Sequence, residues 1–327
     1  MNLQYILTEF QNKIALQSSP KLDIELRKNT EKIKILYHAS FISNKNNEIF
    51  IWLAEPTDLN GQKVQNFSVN LKSNSKYLDK GNIIHYFKSF GQNIELNVDI
   101  ETILSQQCIS DGIFIFSKLP KKISNYYLRS EKYLEQTQEV IELTKKITDG
   151  IETSEKKVEV IFKYVVESFK YRYPVKKRGV LNLNFNNLTG DCAEYSSLFV
   201  TMCRISGIAA RNVTGFVIFE DKKHISEHGW AQVYVNDEWL DADTQYASLE
   251  NNIGIGMKKY LYNRSDYRII FTIGFDIELK PHIPNHFNIS TIRDLAIIVD
   301  SNKAQVLQPL VFASKNKINY KDNIVLR

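Results

Sequence analysis

With 327 residues, 43% of them hydrophobic and 24% charged, the chain has the make-up of a globular protein that can bury a sizeable core and hold two domains. A net charge of +5 on 42 basic and 37 acidic residues, with no dense Lys/Arg run among aromatics, excludes the usual nucleic-acid pattern. No apolar run reaches the ~18 residues of a membrane span.

The three cysteines, Cys108, Cys192 and Cys203, make no disulfide framework and suit a reducing compartment, so a cytoplasmic location is expected. The N-terminal stretch carries Glu9 and Lys13 and lacks a small-residue cleavage pattern, unlike a signal peptide. Leu3, Ile6, Leu7, Phe10 and Ile14 are spaced for a short amphipathic helix over 2–17.

Residues 32–105 then alternate as strands, at 33–42, 48–54, 63–71, 82–89 and 93–101. Turn signals separate them at Asn44–Asn47, Asn60-Gly61, Asp79–Asn82 and Gly91–Asn93. Strands at this spacing predict a β-sandwich. His38 and His85 read as strand residues, because no ligand cluster surrounds them. Leu119-Pro120 punctuates the chain. It sets an expected division into an N-terminal β domain, 1–120, and a second domain, 121–327.

Helices are predicted over 131–148 and 154–169; the second shows an apolar stripe of Val158, Ile161, Phe162, Val165, Val166 and Phe169. The Asn-rich loop 174–190 lacks periodicity and should line one wall of a site. Its basic run Lys176-Lys177-Arg178 reads as solvated.

Asp191 is placed to cap a helix whose buried stripe is Tyr195, Leu198, Phe199, Met202 and Ile205, ended by Gly207. Cys192 therefore opens a buried helix, where the positive end lowers a thiol pKa. Alone, such a cysteine is more often structural. Cys203 lies on the same helix about 16 Å away, too far to bridge.

A strand over 211–219 and a charged loop, 220–227, lead to a hairpin turning at Asn236-Asp237. If Val235 pairs with Glu238, Trp230 falls opposite Asp243 and His228 opposite Gln245. His228 and Asp243 are then diagonal neighbours on one face, with Cα atoms roughly 7–8 Å apart. That supplies a nucleophile, a base and an orienting carboxylate in Cys192, His228 and Asp243. His224 competes for the base and Asp241 for the carboxylate, but Asp241 falls opposite Gln232, further along the hairpin. A zinc site on the same three residues is a rival reading. Strands near 268–275 and 295–312 should complete a sheet. His282 and His286, among Pro281 and Pro284, read as loop residues.

Gly190-x-Cys192 opening a helix, Arg204-x-x-Gly207-Ile208-x-Ala210-Arg211, His228-x-Trp230 and Trp239-x-x-x-Asp243-Thr244 resemble the core motifs of the transglutaminase-like superfamily, over roughly residues 130–280. Ala209 and Ala242 stand where that family often has proline, away from the chemistry. The resemblance implies an α+β, papain-like transglutaminase core preceded by a β-sandwich, with a Cys-His-Asp triad acting on protein or peptide carboxamides through a thioester. No cofactor or metal is implied, and calcium-loop spacing is absent. The Cys192 amide would donate to the oxyanion. Asn187 is a candidate second donor, or simply a turn former, and Trp230 either walls the site or packs in the core. A non-catalytic binding scaffold of the same fold is the alternative function.

Overall fold

In the computed structural model, which describes residues 30–106, 121–219, 224–264, 266–287, 299–300 and 302–327, the alternation of Ile33, Ile35, Tyr37, Ala39 and Phe41 buries one face of strand β1. That strand does not stop at Asn44: β1 runs Thr30–Glu55. Strands β2 (Gln62–Val69) and β3 (Ser75–Asp79) follow, then a second long strand, β4 (Asn82–Ser105). The separate strands expected at 33–42 and 48–54, and at 82–89 and 93–101, are thus fused. The reason is mutual support. β1 and β4 pair antiparallel along their length, with one register shift between Ile42 and Asn47, where Asn47 meets Gly91. Both turn signals fall at this irregularity, and a bulged pair bends rather than reverses. Lys80 and Gly81, both with positive φ, form the tight β3–β4 turn. His38 and His85 lie against Glu95 and Glu55, at 2.7 and 2.5 Å.

Helix α1 (Lys121–Tyr127) leads to α2 (Gln138–Ile147) and α3 (Ser154–Ser168). The helix expected from residue 131 begins at Gln138 instead, because Thr137 caps it by accepting the Val140 amide. Short parallel strands β5 (Lys170–Tyr171) and β6 (Thr189–Gly190) flank the Asn-rich loop. Helix α4 (Cys192–Ile205) is buried from Glu194 to Arg204, on all sides. Phe199 meets Phe162 of α3, and Tyr195 packs on Phe169, with ring centroids 5.8 and 4.4 Å apart. Gly207, at φ 77°, ends α4 in the left-handed conformation that glycine adopts without strain.

Strands β7 (Ala210–Ile218), β8 (Ile225–Val235) and β9 (Glu238–Ala242) come next, then α5 (Thr244–Ala247), α6 (Ile253–Tyr260) and β10 (Tyr267–Ile273). Asn236 and Asp237, at φ 52° and 60°, make the β8–β9 turn. Short strands β11 (Ile277–Glu278), β12 (Val299–Asp300) and β13 (Lys303–Ala304) form a small sheet. Of these, β12 and β13 fall within the strand expected over 295–312. Strands β14 (Leu310–Ser314) and β15 (Asn319–Leu326) then pair with β1. β15 and β2 flank one half of the long β1–β4 ribbon, and β14 and β3 flank the other. Phe41, Phe312 and Tyr320 join the halves, with Phe312 centroids 5.0 Å from Phe41 and 5.2 Å from Tyr320. Where a β-sandwich was expected, these strands make one six-stranded antiparallel sheet, completed by strands from the far end of the chain.

The chain divides into two compact units that do not follow the expected cut at 120. One is built on Gln107–Asn212 and Gly229–Ser265, the other on Asn29–Gln106, Val213–His228 and Asp266–Arg327. Within the second unit, Gln62 bonds both backbone groups of Ile270, at 3.0 and 2.7 Å. Asn82 does the same to Ile273, at 2.9 and 2.7 Å. The helix expected over 2–17 and Cys108 lie outside the described residues. No described helix is long and apolar enough to cross a membrane.

Candidate active site

The start of α4 is built by a capping box. Asp191 accepts the Ala193 amide at 3.0 Å, and Glu194 reaches back to the Asp191 amide at 3.3 Å. Arg178 binds both carboxylates through one nitrogen, Nη1, 2.6 Å from Asp191 Oδ1 and 2.7 Å from Glu194 Oε2. All three side chains are buried. Arg178 was expected in a solvated run. Lys176 and Lys177 are exposed as expected, but Arg178 turns inward to meet two carboxylates that burial would otherwise penalise. Gly190 is required here, since a side chain at that position would collide with Cβ of Glu194.

Cys192 keeps partial exposure as a residue, yet desolvation dominates at its sulfur. Burial pushes the thiol well up and the Asp191 carboxylate pushes it further; the Gly229 amide, which donates to the sulfur, and the Arg178 guanidinium pull it back. The expected lowering by the helix start is therefore outweighed. Burial likewise raises the Glu194 carboxyl, against the pull of Arg178.

Gly229, the donor to the sulfur, directly follows His228 in β8. His228 is buried, and its backbone carbonyl accepts a 2.9 Å bond from Gln308 Nε2, which also donates to the Gly215 carbonyl at 3.0 Å. His224 is exposed just before the strand. The hairpin register is the expected one: Val235 pairs with Glu238 and Gln232 with Asp241. The ladder ends at Ala231–Ala242. Asp243 leaves it to cap α5, accepting the Tyr246 amide at 3.0 Å, while its own amide donates to the Tyr260 carbonyl at 2.9 Å. Gln245 lies in α5 rather than opposite His228, because this cap turns the chain into a helix.

Asp241 is already committed. Gln232 Nε2 donates to it at 2.8 Å, and Arg264 grips it through Nε at 2.7 Å and Nη2 at 3.0 Å. Gln232 in turn accepts from Arg211, whose guanidinium lies 4.1 Å over the Trp239 ring. This network fixes the hairpin from which Asp243 emerges. Trp230 is buried. Asn187 is exposed, and its amide closes a turn onto the Asn184 carbonyl at 2.9 Å. Among the described residues, no three His, Cys, Asp or Glu side chains gather in a way that could hold a metal ion.

Sequence reasoning passed over Glu194, Arg178 and Gln308. Asp191-x-x-Glu194 carries the capping-box signature. Arg178 and Gln308 act across the fold and leave no local pattern.

Residues 141–244 match the family profile of the transglutaminase-like superfamily. That stretch contains Cys192, His228 and Asp243. No curated protein matches the chain. Among solved structures, a putative cysteine protease from Cytophaga hutchinsonii aligns over 92% of this chain and 91% of its own, at 13% identity and a TM-score of 0.56. At that identity the likeness is one of fold. The periplasmic domain of TgpA from Pseudomonas aeruginosa aligns over 75% of this chain and 81% of its own, at 14% identity and a TM-score of 0.40. The likeness to the transglutaminase-like superfamily is carried by the segment 141–244.

Proposed function

We propose that the protein is a cysteine-dependent acyl-transfer enzyme acting on peptide or glutamine carboxamides, with Cys192 as nucleophile, His228 as base and Asp243 as the carboxylate that orients it. The observation that carries this reading is the Gly229 amide donating to the Cys192 sulfur, one residue from His228. Because burial holds the thiol up, the resting nucleophile is neutral and needs a base at the moment of attack. His228 takes the thiol proton as the sulfur–carbon bond forms. The carbonyl oxygen becomes an oxyanion at the start of α4, where the helix end favours negative charge. Collapse breaks the carbon–nitrogen bond, and His228 returns the proton to the departing amine. Water then resolves the thioester to a carboxylic acid, or a second amine resolves it to a new amide; either regenerates the thiol.

Asp243 is preferred to Asp241, whose two oxygens already accept three donors from Gln232 and Arg264. The test is mass spectrometry of a glutamine-containing peptide incubated with and without a small primary amine. Cleavage, deamidation and amine incorporation are separate products. The reading requires one of them from the native protein and none from Cys192→Ala. Equal product from both proteins, or none from the native protein across a peptide library, overturns it.

A further inference from the structure

The segment Lys170–Lys177 reads Lys-Tyr-Arg-Tyr-Pro-Val-Lys-Lys and contains no acid. Lys170, Arg172, Lys176 and Lys177 are all exposed, and among the described residues none of their side chains forms an ion pair. Several surface cations elsewhere are matched: Lys76 with Glu55, Lys88 with Glu48, Lys156 with Glu159, Lys259 with Glu250. Tyr171 and Tyr173 stand exposed between the unmatched cations.

The segment is held beside the reacting thiol at both ends. At the first, Tyr171 pairs with Gly190, the Lys170 backbone amide donates to the Leu188 carbonyl at 3.0 Å, and the Arg172 backbone amide donates to the Gly190 carbonyl at 2.8 Å. At the second, Arg178 is clamped to Asp191 and Glu194, the neighbours of Cys192. The Tyr171 phenol is raised first by partial burial, and Cys192 and Asp191 add to the rise.

We propose that Lys170–Lys177 is the substrate-recognition strip of this site, and that it selects peptides with acidic residues flanking the reacting carboxamide. The inference rests on Cys192 being the reacting centre. Unmatched cations within a Debye length of about 8 Å attract an acidic chain and steer it to the site. Arg172 adds charge-assisted hydrogen bonds to carboxylates, and the tyrosines offer flat apolar surface to the peptide between its charges. A carboxamide reaction calls for a polypeptide, which favours an acidic peptide over a polyphosphate.

The test uses the Cys192→Ala protein, so that binding is read without turnover. Three fluorescent peptides share one central glutamine, flanked by Glu, by Gln or by Lys, and anisotropy is followed at low and high salt. The Glu-flanked peptide should bind at least tenfold more tightly than the Gln-flanked one. Salt should shrink that preference, and combining Lys170→Gln, Arg172→Gln, Lys176→Gln and Lys177→Gln should abolish it. An unchanged urea midpoint in the combined variant shows that its fold persists. Equal binding of the Glu and Gln peptides, no measurable binding, or a preference that survives the four substitutions overturns the proposal. Tighter binding of a single-stranded RNA oligonucleotide overturns it too. Acyl transfer could fail its own test while this binding preference stands, and turnover of neutral peptides without any acidic preference would sink the strip alone.

Discussion

Replacing Arg178 with methionine keeps most of the side-chain volume and removes the charge that Asp191 and Glu194 share. The side chains of the three residues are 4%, 5% and 1% exposed. Losing one partner of such a buried set leaves uncompensated charge and costs about 3–5 kcal/mol, against roughly 0–1 kcal/mol for an exposed pair. The cost must depend on pH. Burial raises the Glu194 carboxyl above its ordinary value. Stability linked to a raised carboxyl is fully present below its unfolded pKa of about 4.3 and is lost as pH climbs through the folded value. Without Arg178 that folded value rises further, so the variant should lose more stability at pH 8 than at pH 5. Adding Glu194→Gln removes one of the stranded charges and should restore part of the loss at pH 8. Urea unfolding of the full chain at both pH values reads all three effects. A loss under about 1 kcal/mol at both pH values, or a larger loss at pH 5, refutes the electrostatic account of the α4 start.

Asp243→Asn should keep the α5 cap, since asparagine caps as well as aspartate, yet slow iodoacetamide labelling of Cys192 by about tenfold or more as the base loses its partner charge. Asp241→Asn should instead destabilise the fold by about 3–5 kcal/mol, because it strands the buried Arg264. If the Asp241 variant proves the stable but slowly labelled one, the roles are reversed. Cys192 should label well before Cys203, which is fully buried. Its rate should keep climbing with pH beyond the ordinary thiol range of about 8.5, because burial holds its pKa up. A plateau below neutral pH, or faster labelling of Cys203, would contradict that burial.

The parts of the site that follow local rules were legible in the sequence. Asp191 and the stripe from Tyr195 to Met202 announced α4, and Asn236-Asp237 set the hairpin register that pairs Val235 with Glu238. What failed were places where a distant partner overrides a local signal. Asn44–Asn47 and Gly91–Asn93 look like turns, but β1 and β4 carry each other through them as a bend. Alternation past Ala242 suggested that Gln245 faces His228, whereas Asp243 uses its carboxylate as a cap and starts α5. Arg178 sits beside two exposed lysines, and only the fold shows the carboxylates that draw it inward. The expected cut at 120 missed that β14 and β15 return to β1, a pairing across more than half the chain that no window could reveal. The thiol was expected low from its helix position alone, but its desolvation depends on everything packed around it.

The central claim is a thioester on Cys192, and intact-protein mass spectrometry tests it most directly. A peptide that the native protein converts is mixed with it, quenched in acid within the first turnover, and the protein is weighed and mapped. The account predicts a mass increase equal to the acyl portion of the peptide, located on Cys192, discharged by a primary amine or by time, and absent from Cys192→Ala. Conversion without any adduct under slowed turnover, or an adduct that maps elsewhere and persists in Cys192→Ala, would contradict it.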